Sequence, residues 1–209
     1  MKILTFLLSI CSSLLTAQTD LQKLVDSLKY ITDMPYICET GTGEGCGDRL
    51  FWKVVQQKEA AIPLLIARLS DATVTVATVP NFGGQWAVGD IAYSALSELI
   101  LDIPTFELLG VPFDTRGCGY CAYWRHLRKR HKNRKQFKAA VSTWYESNKA
   151  ALVWVASDEF QTCDCSGKHP NGGHFELKKS STIAKKSNHG KRYKRKPLAT
   201  QNPPFDIGL

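Results

Sequence analysis

The sequence predicts a mainly α-helical protein, an irregular antiparallel helical bundle that ends in a small C-terminal β-hairpin. Three observations carry this. Apolar residues recur at three- and four-residue intervals in several separate segments, the repeat of a helix with one buried face. Glycine and proline clusters divide those segments into pieces of ordinary helix length. Short runs rich in Val, Trp and Phe gather between Leu152 and Leu177, where Asn171-Gly172-Gly173 supplies a turn. With 209 residues, 44% of them hydrophobic, the chain is long enough for one domain with appendages.

Taken in order, Lys2 precedes an apolar stretch from Ile3 to Leu15, and Thr16-Ala17-Gln18 offers small residues where a peptidase could cut. This is the layout of a secretory signal, shorter than the roughly 20 apolar residues of a membrane span. Residues 1–17 are therefore expected to be a signal peptide, with the mature protein periplasmic or secreted. No later segment is apolar enough to span a bilayer. Leu21, Leu24, Val25, Leu28 and Ile31 follow at helical spacing behind Asp20, a candidate N-cap. The glycine-rich stretch 38–47 reads as a loop. It lacks the Gly-Lys-Ser/Thr ending of a phosphate-binding loop, and Glu39 and Glu44 would repel phosphate.

Asp48 can cap a helix carrying Leu50, Phe51, Val54 and Val55, and Pro63 requires a break near Glu59 before the next apolar run. Residues 71–85 read as a loop. A strong helix is expected from about Trp86 to Leu101, with Val88, Ile91, Ala92, Ala95, Leu96, Leu99 and Ile100 inward. After a connector with Pro104 and Pro112, a helical stretch begins near Ala122. Asn133 is a candidate cap for a further helix to about Leu152, with Phe137, Val141, Trp144 and Tyr145 inward. Leu152 to Val155 reads as a short strand, and the turn at Asn171 is expected to join Phe160–Cys163 to Phe175–Leu177. Residues 178–209 hold little to bury and are expected to be a disordered basic tail, leaving 18–177 as the folded domain.

Glu59-Ala-Ala-Ile-Pro-Leu-Leu-Ile-Ala-Arg-Leu-Ser-Asp71 and Val88-Gly-Asp-Ile-Ala-Tyr-Ser-Ala-Leu-Ser-Glu-Leu-Ile100 resemble the two antiparallel helices of one HEAT repeat. The resemblance covers about residues 59–101 and implies one HEAT-like helix pair, a rigid face on which another protein could dock. No second copy follows at that period, and the segment between the helices is long for the family. As a whole the chain also looks like uncharacterised exported proteins of Bacteroidota-type bacteria, a resemblance that implies no activity.

Loss of Cys11 with the signal would leave Cys38, Cys46, Cys118, Cys121, Cys163 and Cys165. In an exported chain an even set reads as a disulfide framework, with 15 pairings open. Cys38 and Cys46 bracket a flexible loop and can pair locally. Cys163-Asp-Cys165 closes on itself only through a strained ring, so cross-bonds to Cys118 and Cys121 are favoured. Each would contribute about 2–4 kcal/mol by restricting the unfolded chain. The alternative is an extracytoplasmic metal-binding or thiol-redox protein. Cys118, Cys121, Cys163 and Cys165 could hold zinc, with His169 or His174 replacing a sulfur. Cys118-Gly-Tyr-Cys121 also resembles the thioredoxin motif, but a second long helix follows it and no downstream Thr-Pro occurs.

The net charge of +8 is uneven: nine cations and no acid lie between Lys178 and Lys196, so the rest of the chain is close to neutral. That is the second of two clusters; the first, 125–138, holds eight Lys and Arg residues and again no acid. Arg125, Arg128, Arg130 and Arg134 in the first cluster, with Lys191, Arg192, Lys194 and Arg195 in the second, are candidates for binding an anionic polymer or an envelope surface. Tyr120, Tyr123 and Trp124 lie beside the first cluster and could stack on sugars or bases, or pack inward. The histidines sit in basic or turn contexts and form no catalytic constellation with the acids. Asp90, alone on an apolar helix face, is expected to bond the preceding loop. The expectation is a monomeric, exported, non-catalytic binding or structural protein without a cofactor.

Overall fold

The computed structural model describes residues 18–34, 47–79, 84–101, 103–112, 121–157 and 171–178. Among these residues the protein is mainly helical, with seven α-helices and two antiparallel strand pairs. The signal-peptide reading, the basic tail beyond Lys178, Cys38, Cys46, Cys118, Cys163, Cys165 and His169 lie outside them. None of the helices described is long and apolar enough to cross a membrane.

Helix α1 covers 18–26 and tightens into a 3-10 turn at Ser27–Tyr30. Asp20 is already inside this helix, where its carboxylate meets Lys23 at 3.3 Å, so it is no N-cap. Asp48 does cap α2 (Arg49–Val55), accepting the Leu50 N–H at 2.9 Å. Its second oxygen accepts from Thr32 N and Oγ1 at 3.2 and 3.0 Å, which ties the exit of α1 to the start of α2. A 3-10 turn at Lys58–Ala61 separates α2 from α3 (Ile62–Arg68), and Pro63 stands in the first turn of α3, where no N–H is required of it.

Residues 71–85 are not a plain loop. Val74–Thr78 forms β1 and Gln85–Ala87 forms β2, antiparallel, with an irregularity between the pairs Val74–Ala87 and Thr78–Gln85. The Thr75 hydroxyl spans it by donating to the Trp86 carbonyl at 2.9 Å. Because of β2, helix α4 starts at Val88 and ends at Leu99. All seven residues expected to face inward, Val88 to Ile100, are buried. Only Ser97 of α4 is exposed, so the helix is the centre of the core. Its first turn lies hard against the end of α3: a Cβ on Gly89 would stand 2.5 Å from the Leu69 carbonyl oxygen and 2.8 Å from that of Asp71. The Gly89 N–H donates to Asp71 O at 2.9 Å, a contact only glycine permits at this distance.

Helix α5 (Thr105–Leu109) leads to α6 (Cys121–Lys129) and α7 (His131–Asn148), which are joined by the single extended residue Arg130. Asn133 does not cap α7. It lies within the first turn, and its amide donates to the His126 carbonyl at 2.6 Å, closing the end of α6 instead. Phe137, Val141 and Tyr145 are buried as expected, with Trp144 packed at the edge of the core.

A 3-10 turn at Lys149–Ala151 stops α7, and β3 (Leu152–Ala156) follows. Its partner β4 (Gly173–Leu177) runs antiparallel from Leu152–Leu177 to Ala156–Gly173. The expected hairpin therefore exists with a different first strand: β4 pairs with 152–156, and 160–163 lie outside the described residues. Gly173, at φ 146°, is pressed against Val155, where a Cβ would meet the carbonyl oxygen at 2.2 Å. Strand β4 also docks on the end of α4, with the Leu101 N–H donating to Phe175 O at 3.1 Å.

Candidate anion-binding groove

Two side chains that interrupt apolar stripes meet in the interior. Asp90 stands on the buried face of α4, and Arg134 falls on the same stripe of α7 as Phe137, Val141 and Tyr145. Arg134 Nη1 donates to Asp90 Oδ1 at 2.7 Å and Nη2 to Oδ2 at 3.1 Å, a two-pronged pair with both residues almost wholly buried. Asp90 also accepts the Ala87 N–H at 3.1 Å, so it closes the N-terminus of α4 as expected. The reading of Arg134 as a polyanion contact is corrected here. It is 4% exposed, and its charge is matched by Asp90.

Aromatic rings pack around the pair. Tyr123 of α6 lies between Tyr93 (5.2 Å) and Phe137 (5.9 Å), and the Tyr93 hydroxyl bonds to Thr105. The Tyr123 hydroxyl is buried without a hydrogen-bond partner among the described residues. Burial first, then the neighbouring Asp90 and Tyr93, pushes it well above its ordinary value near 10. Trp124 meets Trp86 of β2 edge to face at 4.9 Å and Tyr123 at 4.8 Å, while the Arg128 guanidinium lies over its ring at 5.4 Å. The Trp124 ring is thus engaged by three neighbours, and Tyr123 is core; neither offers a free platform for a base.

Between the β1–β2 ribbon and α6–α7 lies a groove of about 370 Å³. Asp90 and Arg134 line its inner part, Ala72, Val74, Gln85 and Ala87 one wall, and Leu127, Arg128 and His131 the other. Arg128 is fixed at the edge by a bond from Nη2 to Gln85 O at 3.2 Å. Around it, Arg125, Arg128, Lys129, Arg130, Lys132 and Lys135 are all exposed. No acid occurs in the first turn of α7, whose N-terminal end adds a partial positive charge.

The other expected site residues are placed as follows. Cys121 opens α6. His174 is half-buried on β4, with Nε2 2.8 Å from Glu176 Oε1. Glu98 of α4 is raised to about 6 by burial, partly offset by His174. Among the described residues no group of three or more His, Cys, Asp or Glu is placed to hold a metal. The groove-lining Val74, Gln85 and His131 were not among the residues singled out from the sequence.

Fold and groove together define a small, mainly helical domain with one cationic face and a mixed apolar and cationic cleft beside it. Comparison with family models, curated proteins and solved structures finds no match.

Proposed function

We propose that this is an exported, non-catalytic binding protein that engages an anionic polymer through the surface of α6 and the start of α7. The observation that carries the reading is the set of six exposed Lys and Arg residues on one continuous helical elbow, in a segment without a single acid. The neighbouring acid, Asp90, is buried and neutralised by Arg134, so it does not oppose an incoming anion. Such a surface gathers anions by long-range attraction, with affinity that falls as salt displaces the released counterions. The Trp124 ring is occupied by its neighbours, which favours a polymer recognised by its charges over one recognised by its bases.

The test is retention of the full chain on an immobilised sulfated polysaccharide. Replacing Arg125, Arg128, Arg130 and Lys132 by Gln together should move elution to clearly lower salt and flatten the salt dependence. A companion variant with Lys191, Arg192, Lys194 and Arg195 changed to Gln measures what the distal cluster adds. Unchanged elution of the first variant would overturn the proposal.

A further inference from the structure

We propose that the groove between β1–β2 and α6–α7 takes one acidic sugar residue of the polymer, a ring bearing a carboxylate. This rests on the anionic-polymer reading and assigns the groove as the place where one unit of it is held. Size comes first: about 370 Å³ lies at the lower end of small-ligand sites, room for one sugar ring and part of the next. The chemistry of the walls comes second. Val74 is 61% exposed, and with the exposed Ala72 it offers an apolar surface suited to the C–H face of a ring, backed by the buried Ala87 and Leu127. A bare inorganic anion gains nothing from such a wall.

Across from it, the Arg128 guanidinium is held in place by the Gln85 carbonyl and the Trp124 ring. A fixed guanidinium is suited to a planar carboxylate, which it can bind with two parallel hydrogen bonds. Gln85 and His131 add side chains able to bond ring hydroxyls. Asp90 and Arg134 close the inner part as a mutually neutralised pair, leaving the net positive charge at the edge, where the carboxylate would lie.

The experiment follows the methyl signals of Val74 and Leu127 by NMR in the full chain, titrated separately with glucuronate, glucose, inorganic sulfate and a short single-stranded oligonucleotide. Glucuronate should shift both methyls saturably, and the other three should not. Val74→Glu places a like charge on an exposed wall position and should weaken glucuronate by about tenfold or more. A milder variant, Val74→Ser, should weaken it less and guards against misfolding. Sulfate or glucose moving the methyls as far as glucuronate overturns the proposal, as does an oligonucleotide moving them further. So does a Val74→Glu protein that titrates like the parent. Retention on the sulfated polysaccharide with no glucuronate shift overturns the groove assignment alone. The four-residue helix variant also removes Arg128, so it should lose the glucuronate shift together with retention, and a shift that survives in it overturns the groove assignment.

Discussion

The Asp90–Arg134 pair gives the sharpest test of the interior. Both partners are nearly inaccessible, so removing one leaves the other as an uncompensated buried charge, at a cost of about 3–5 kcal/mol. Asp90→Ala also deprives the Ala87 N–H of its acceptor, which adds about 1 kcal/mol. Arg134→Met keeps most of the side-chain volume and isolates the loss of charge. In the double variant neither charge remains, so the loss should fall well short of the sum, with a coupling of about 2–4 kcal/mol. Urea unfolding followed by far-ultraviolet circular dichroism gives the four free energies, and equal slopes across the set would show that the unfolded states are comparable. By heating, each single change should lower the midpoint by roughly 6–20 °C for a domain of this size. Additive losses, or single losses below about 1 kcal/mol, would refute the reasoning. Either would mean that water reaches the pair and that the groove has no such closed inner end.

Gly89→Ala should destabilise by about 1–3 kcal/mol even though alanine is the better helix former, because its methyl group would strike the Leu69 and Asp71 carbonyls; thermal melting checks the sign. Tyr123→Phe removes a buried hydroxyl without a partner among the described residues and should be neutral or stabilising by about 1 kcal/mol in urea titration. Glu98 is raised to about 6, so its contribution is greatest at acid pH, where it is protonated in both states, and declines as pH rises from about 4.5 to about 6. Glu98→Gln should therefore be close to the parent at pH 4 and more stable by up to about 2 kcal/mol at pH 7, read from stability measured across that range. Burial works to raise Asp48, but hydrogen bonds from Leu50 and Thr32 outweigh it and hold its carboxyl below the usual range. Asp48→Ala should cost about 1–2 kcal/mol at pH 7, with the difference shrinking as acid below about pH 4 protonates the parent's carboxyl.

The helices were legible where the apolar stripe was continuous: every inward residue assigned to α4 is buried, and Asp48 and Pro63 mark their helix starts. Asp20 and Asn133 misled because a residue type suited to an N-cap also occurs inside helices, and only the backbone decides between the two. The β1–β2 ribbon was hidden for a different reason. Its inward residues are Thr75 and Ala77 and its outward ones Val74 and Val76, so the alternation of polarity runs opposite to that of a half-buried strand. Strand β4 pairs with β3 and also bridges through Phe175 to Ile100 at the end of α4, long-range pairings that no local pattern encodes. The interior ion pair did leave a trace. Asp90 and Arg134 each stand alone on an otherwise apolar stripe, and an acid and a base so placed on two helices are natural partners. What the sequence lacked was the tertiary arrangement that lets the two side chains reach each other. Without it, Arg134 looked like one more cation in a solvated run.

The ribbon's inverted alternation also bears on how the chain behaves before it is folded. Thr73 to Val79 is an uncharged, β-branched run with no proline, a composition that readily recruits copies of itself. In the folded protein its ends are fastened, by the Val88 N–H to the Thr73 carbonyl and by the Val79 N–H to that of Gly84. Any lesion that unfastens α4 from α3 would free this strip with two valines already facing outward. Weakened variants of this protein should then be lost to insoluble assemblies at concentrations where the parent refolds cleanly.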